Sequence, residues 1–489
     1  MNTEEKLFEN IRKIIVMLLP MPLILGAIGY CNAGLSRSDA IYYSICLYGL
    51  SWDGVANNVY IEIARWAAPL LTVAGLATVV KSVYVFIHNE LLVFFHNDAT
   101  AIYSCSNRGK ILNNNLPNSI LYEKKPLKHV KSHILLFDSD EKNLVFYQKH
   151  KSFFQNEKNN STVYLCLNEV DSNMLKSDLD NVRIFNANDI IARVLWKTIK
   201  LWNCADKQKK QKIVIWGFDS LGQRILQFGL QMNLYAKEQC IEYHILGNSE
   251  LFEASHRYFK TMNQDSIIYH KEECADKWNI LEEADYIIVS KVSSIELLQS
   301  FYYACKKAKI YYYSPEDEKV TNYIKTDRLC AFGENQIVFS NDNIKTDKLY
   351  EAAKKLHYSY VSNQLEAENK SEKEIAKEME VEWRKLDGFT KGSNISSTDY
   401  REVICELDAC YMENNGLENL EEFAELEHIR WCRYHLLNGW KFGVPGNGAN
   451  KDMKSKIHKC ICMYSELPEK EKEKARQVIK NDLKFKWKM

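Results

Sequence analysis

Two apolar runs near the start of the chain restrict its fold more than any other feature. Residues Ile14 to Cys31 form a stretch of eighteen without a charge, enough for a marginal crossing of the hydrocarbon core. Pro20 and Pro22 predict a kink in it, which membrane helices tolerate. The second run goes from about Ile61 to Leu92, and its centre, Trp66 to Val80, is rich in small residues that let helices approach closely. Between them, Ala40 to Leu50 is too short to span and fits a re-entrant or interfacial helix, followed by a turn at Ser51-Trp52-Asp53-Gly54. Acidic Glu4, Glu5 and Glu9 stand where a signal peptide needs a basic region, so an anchor is expected rather than a leader. Arg12 and Lys13 flank the first run and predict a cytoplasmic N-terminus. Two spans return the chain to that side, and the expectation is a multi-pass protein of the inner membrane.

Glu62 and Arg65 lie one helical turn apart at the head of the second run, placed to pair or to line a polar path. Two spans around a short re-entrant helix are similar to tetrameric cation channels. That resemblance implies a closed homotetramer with a permeant ion, and candidate pore residues Tyr48, Gly49, Trp52, Asp53 and Arg65. The Thr-Val-Gly-Tyr-Gly run of a potassium filter is absent, and Tyr48-Gly49 is its only trace.

Composition sets the class of the remainder. At 489 residues the chain is long enough for two to four domains. Its 46% hydrophobic and 26% charged residues are globular. Lys plus Arg and Asp plus Glu balance at 64 each, which leaves no basic field for nucleic acid. The 14 cysteines are scattered without a CxxC pair, as expected of reduced thiols.

After Leu92, short β runs alternate with helical stretches, predicting parallel sheets with crossover helices. The first set comprises Ala101–Tyr103, Ser119–Tyr122, His133–Phe137, Val163–Leu167 and Val182–Phe185. Its first turn, Ser104-Cys-Ser106-Asn-Arg-Gly109, is a degenerate dinucleotide fingerprint, and Glu123 stands where an acid would meet a ribose hydroxyl. The second set begins with Lys212–Trp216, followed by Gly217-Phe-Asp219-Ser-Leu-Gly222. Its further strands are expected at Glu242–Leu246, Ser266–Tyr269, Tyr286–Ser290, Ile310–Tyr313 and Gln336–Phe339. Asp219 replaces the glycine that lets a pyrophosphate approach, so a nicotinamide cofactor is not expected there. Ser104, Ser106, Gly109, Glu123, Gly217, Asp219 and Gly222 are the weak nucleotide-site candidates. Two such folds in tandem resemble the RCK-like cytoplasmic domains of potassium channels and of the TrkA class of transport regulators, over roughly residues 93 to 350. The resemblance implies rings that couple ligand binding to a pore.

The charged stretch Gln364 to Glu378 reads as a solvated helix or linker. A helical module follows, with Lys391-Gly-Ser393-Asn394 before a helix from about Thr398 to Met412. The next helix, Leu420 to Leu437, carries Glu427-His428-Ile429-Arg430-Trp431. Gly439-Trp440, His458, Tyr464 and Glu466-Leu467-Pro468 come after it, and a basic helix from Lys470 to Lys480 closes the module. Trp431 and Trp440 are candidates for core packing. A cationic Arg beside aromatics suits stacking on a base and pairing with phosphate, and His458 is placed to complete such a pocket. The competing expectation for His428 and Arg430 is a solvated helix face.

This pattern is close to the ryanodine-receptor-repeat (RyR) family over about residues 380 to 485, and Ser393-Asn394 fits its bacterial members. Lys459 and Ala475 depart from the family's usual Pro and Asp. The resemblance implies a ligand-binding module with site residues Lys391, Ser393, Asn394, Glu427, His428, Arg430, Trp431, Trp440, His458 and Tyr464. It also implies a small nucleotide signal, ADP-ribose-like or cyclic, and effector roles in bacterial nucleotide-signal immunity.

No HExxH, GxSxG or Walker loop is present, and Glu427 and His428 point about 100° apart on a helix, so no catalytic dyad is expected. The sequence thus predicts a membrane protein with two transmembrane helices and a re-entrant segment (1–92), two tandem α/β Rossmann-like domains (93–205 and 206–350), a helical linker (351–379) and a mostly helical RyR domain (380–489). The function expected is a ligand-gated channel or membrane-permeabilising effector rather than an enzyme. The alternatives are a housekeeping potassium channel or transport subunit regulated at the sheet domains, and a membrane-anchored oxidoreductase.

Overall fold

The computed structural model describes residues 14–15, 17–52, 54–122, 125–156, 161–170, 181–203, 209–271, 277–316, 327–362, 370–412, 419–446 and 449–486. Two compact units emerge. One holds residues 1–113, 117–138 and 150–162, and the other holds 114–116, 139–149 and 163–489.

The first unit opens with three packed helices, α1 (Met21–Asn32), α2 (Arg37–Cys46) and α3 (Val59–Phe95). Ser36 caps α2 by accepting from the Asp39 amide at 3.2 Å, and Asn58 caps α3 by accepting from Tyr60 and Ile61 at 3.1 Å. Tyr30, Ala40, Leu47, Ile61, Ala64 and Ala68 form their shared core. Small residues permit the close approach. A Cβ on Gly29 would meet Ile61 at 2.7 Å, and one on Gly26 would meet the Ser44 hydroxyl at 2.7 Å.

The single span expected over Ile14–Cys31 is interrupted. A turn at Leu19–Pro20 precedes α1, which has only 12 residues, too few to cross a bilayer. Among the described residues one stretch, Val59–Ala77 of α3, is long and apolar enough to do so. Along it Val59, Ile63, Trp66, Leu70, Val73 and Leu76 are all exposed, an apolar stripe at helical spacing. The segment expected to be re-entrant is helical, as α2 followed by a 3-10 turn over Leu47–Gly49.

The same unit contains strands β1 (Thr100–Tyr103), β2 (Ser119–Tyr122) and β3 (Ser132–Leu135), parallel, with β1 in the middle. From Val163 onward, β4 (Thr162–Cys166) lies in the second unit, where it pairs in parallel with β5 (Val182–Phe185).

The second sheet lies within the second unit. Its strands are β6 (Gln211–Trp216), β7 (Ile241–Leu246), β8 (Ser266–His270), β9 (Tyr286–Val289), β10 (Lys309–Tyr313) and β11 (Leu329–Phe332). All pairings are parallel, and the order β11-β10-β9-β6-β7-β8 is the doubly wound arrangement with its reversal at β6. The last strand is a correction to the sequence reading. Gln336–Phe339 was expected to be a strand, but Asn335–Val338 is a helical turn and β11 lies earlier. Four apolar or polar residues in a row cannot distinguish the two by periodicity. Helix α4 (Ala187–Ile199) packs on α5 (Ser220–Met232), where Gly229 leaves room for the Trp196 ring and Trp196 Nε1 donates to the Ile225 carbonyl at 2.8 Å.

Helices α6 (Lys348–Val361) and α7 (Glu372–Arg384) follow. A capping box of Ser371 and Glu374 starts α7, whose first turns are mostly exposed as expected of a solvated helix, and Lys354 of α6 pairs with Glu380 at 2.7 Å; residues 364–369 lie outside the described residues. Helix α8 (Gly388–Met412) begins ten residues before the expected Thr398 and takes in Lys391, Ser393 and Asn394. Helices α9 (Leu420–Leu437) and α10 (Glu469–Lys486) flank a small sheet of β12 (Lys441–Phe442), β13 (Lys451–Asp452) and β14 (Ile457–His458), in the order β12-β14-β13.

Candidate functional site

Helix α9 is buried nearly all round, from Phe423 to Leu437. A helix with Glu, His and Arg on every side can be buried only if each polar group finds a partner. Glu427 and Arg430 satisfy one another, with Arg430 Nε and Nη2 donating to the two carboxylate oxygens at 2.7 Å each. Arg430 Nη1 donates to Ser396 Oγ of α8 at 2.7 Å, and Ser397 Oγ donates to Glu427 at 3.2 Å. The solvated face expected for Arg430 is therefore not found. Its guanidinium is 1% exposed and joins α9 to α8.

On the adjoining arc His428, Trp431 and His435 share a face of α9. Trp431 meets His435 at 3.8 Å and His458 of β14 at 4.8 Å, edge-on to the latter. Phe389 of α8 stacks on Trp440 at 5.1 Å, and Tyr434 donates to the Phe389 carbonyl at 2.8 Å. Trp440 is core, as expected, while Trp431 is half-buried. Gly439 (φ +78°) lets the chain leave α9 and turn Trp440 inward.

The histidines are held neutral. Burial lowers the His428 pKa, and its Nε2 donates to the Cys462 carbonyl at 2.9 Å. Burial lowers His435 to about 3, and its Nδ1 donates to the Trp431 carbonyl at 2.9 Å. His458 is lowered to about 4, first by burial and then by Lys451, Lys474 and Lys459, against Glu471. Its Nδ1 accepts from the Cys460 amide at 3.1 Å, so the neutral ring carries its proton on Nε2. Lys474 also engages Glu471 at 2.8 Å, and Lys451 is the largest charge effect on the ring. By register Phe442, His458 and Lys451 lie on one side of the small sheet, and Phe442 is 60% exposed.

Tyr464 donates to Glu421 at 3.0 Å and lies 5.8 Å from His428. Lys391, Ser393 and Asn394 are half-buried on α8 between Phe389 and Ser396, and the Asn394 amide donates to the Thr390 carbonyl at 2.9 Å. The structure thus gathers Trp431, His428, His458 and Tyr464 into one cluster. It assigns Glu427 and Arg430 to an internal pair.

This segment matches a known module. Residues 404–489 match the RyR domain family model. The matched region comprises the last nine residues of α8, all of α9, the small sheet and α10. No curated protein matches the chain. Among solved structures, the crystal structure of GsuK bound to ADP is 14% identical with a TM-score of 0.34, covering 70% of this chain and 97% of that one. A glycerate dehydrogenase related protein from Thermoplasma acidophilum is 8% identical with a TM-score of 0.21, covering 50% of this chain and 98% of that one.

Gly217 (φ +87°) makes the tight turn after β6, and a Cβ on Gly222 would collide with the Gly217 carbonyl. Asp219 caps α5 by accepting from the Gly222 amide at 3.1 Å, so a carboxylate holds the place an anion would take. In the first sheet Ser104 Oγ accepts from the Ser106 amide at 3.2 Å, and a Cβ on Gly109 would clash with Ser104. Glu123 lies outside the described residues, as does Asp53. Of the pore candidates, Arg65 sits over the Trp52 ring at 4.2 Å and pairs with Glu62 at 3.3 Å. Tyr48 donates to the Leu19 carbonyl, and Gly49 closes the 3-10 turn.

Sequence reasoning missed the docking of the RyR domain and α8 on the second sheet domain. Arg433 Nε donates to the Thr261 carbonyl and Nη1 to the Leu230 carbonyl, both at 2.7 Å. Its Nη2 meets Asn263 Oδ1 at 2.6 Å and Asp265 Oδ2 at 2.8 Å. Tyr400 donates to the Leu234 carbonyl at 2.6 Å, and α8 also reaches the end of the first sheet domain, where Arg193 pairs with Asp399 and Lys200 with Glu406, each at 2.6 Å. The one available signal was the absence of any polar stripe on α9 to face solvent.

Proposed function

We propose that this chain is a membrane channel, or a membrane-permeabilising effector, opened by a small nucleotide-type signal bound at the RyR domain. The observation that carries the ligand reading is the half-exposed Trp431 ring, edge-on to neutral His458, with exposed Phe442 and Lys451 on the same side of the small sheet. Flat aromatic surface accepts a base, and the lysine field accepts phosphate. The exposed apolar stripe of α3 supports insertion of that helix in a bilayer. In this reading the RCK-like sheet domains carry the signal, and copies of the chain assemble around the pore as a closed ring, for which we propose four copies. Gating requires the signal to bind the open form better than the closed one. A role in nucleotide-signal immunity against phage is the biological setting we infer from the RyR module.

Regulation of a housekeeping potassium channel by nucleotide at the second sheet is the weaker alternative, because Asp219 occupies the helix start that phosphate would need. The test is ion efflux from liposomes holding the purified chain, with ADP-ribose and cyclic nucleotides added in turn and potassium compared with sodium. Efflux dependent on one of these probes is expected, without strict potassium selectivity. Efflux independent of every probe, or none at all, would overturn the proposal.

A further inference from the structure

Helix α9 makes contacts on two opposed faces. Trp431 and His435 point to β14 and the candidate ligand face, and Arg433 lies about 160° away around the helix. Every nitrogen of its guanidinium is hydrogen-bonded to the second sheet domain. The carbonyls of Thr261 and Leu230 lie in the loop before β8 and in α5. Asp265 leads directly into β8, and its other oxygen accepts the Ile241 amide that opens β7 at 2.8 Å. Gln239 Nε2 donates to the same carboxylate at 2.9 Å. Arg433, Asp265 and Gln239 are among the least exposed polar residues described. The apolar cluster of Cys432, Leu436, Trp440 and Ile461 continues onto Phe259 and Met262 of the sheet domain. A shift of α9 therefore cannot be absorbed locally, because packed interiors move as units.

We propose that Arg433 is a positioning residue that couples the Trp431–His458 face to strands β7 and β8, so that a change at that face is felt at the start of both strands. Its physiological meaning rests on the ligand reading above, but the coupling is measurable without ligand. The experiment is hydrogen exchange of the full chain in detergent micelles, comparing the native chain with His458→Phe. The coupling predicts a change of about tenfold in exchange at Ile241 and Ser266–His270. In an Arg433→Met/Asp265→Asn background, which removes the buried ion pair while keeping an acceptor for the Ile241 amide, the same His458→Phe change is expected to leave these amides within about twofold. Changes at Lys441–Phe442 and Ile457–His458 should persist there. A β7–β8 response of equal size in both backgrounds, or none in the native chain, would overturn the coupling. ADP-ribose serves as the probe in a second arm. Binding that leaves β7–β8 exchange untouched would also overturn the coupling, whereas failure to bind would count against the ligand reading alone.

Discussion

Arg433 Nη2 and Asp265 Oδ2 meet at 2.8 Å with neither side chain exposed, across 168 residues of sequence. Removing one partner leaves the other charge buried. Arg433→Met should destabilise the chain by about 3–5 kcal/mol, and adding Asp265→Asn should recover part of that loss, since the new amide nitrogen would face the Gln239 and Asn263 donors. Denaturation midpoints of the two variants in detergent check this. Equal midpoints would contradict it.

His435 has a folded pKa lowered to about 3, against about 6.5 when unfolded. The unfolded chain therefore binds the extra proton, and stability rises with pH. The contribution is complete above about pH 6.5 and is lost as pH falls toward 3, at up to about 1.4 kcal/mol per unit. His428 and His458 shift in the same direction. Unfolding midpoints at pH 7 and pH 5 should show the loss, and His435→Gln should reduce the slope between them.

Leu70 sits on the exposed apolar stripe of α3. Leu70→Lys should oppose insertion by about 2.5–3.5 kcal/mol. Flotation with liposomes reads it. Undiminished flotation would place this stripe outside the hydrocarbon.

Lys451 stands beside His458 at the candidate ligand face. Lys451→Glu should weaken nucleotide probe binding by at least about tenfold without changing the melting temperature, since an exposed lysine contributes little to stability. Calorimetric titration checks the affinity. Arg430→Ala, by contrast, should unfold the RyR domain, because it strands Glu427 in the interior.

Gly222 abuts the Gly217 carbonyl. Gly222→Ala should cost more than about 1 kcal/mol, since the backbone there cannot yield to a methyl group. A thermal melt reads the loss.

By itself the sequence determined the order of elements, most strand positions and the RyR pattern, because period-2 and period-3.6 hydrophobicity and turn glycines are local signals. Pro20 and Pro22 pointed to a kink, where the structure places a turn before α1. Only the tertiary structure decided what each polar residue of α9 does. Glu427 and Arg430 pair with each other, and Arg433 reaches the loop before β8. Trp431 stays half-open beside His458. Residues three apart on one helix look alike in sequence, and whether they are exposed, paired or docked depends on partners that folding brings from up to 168 positions away.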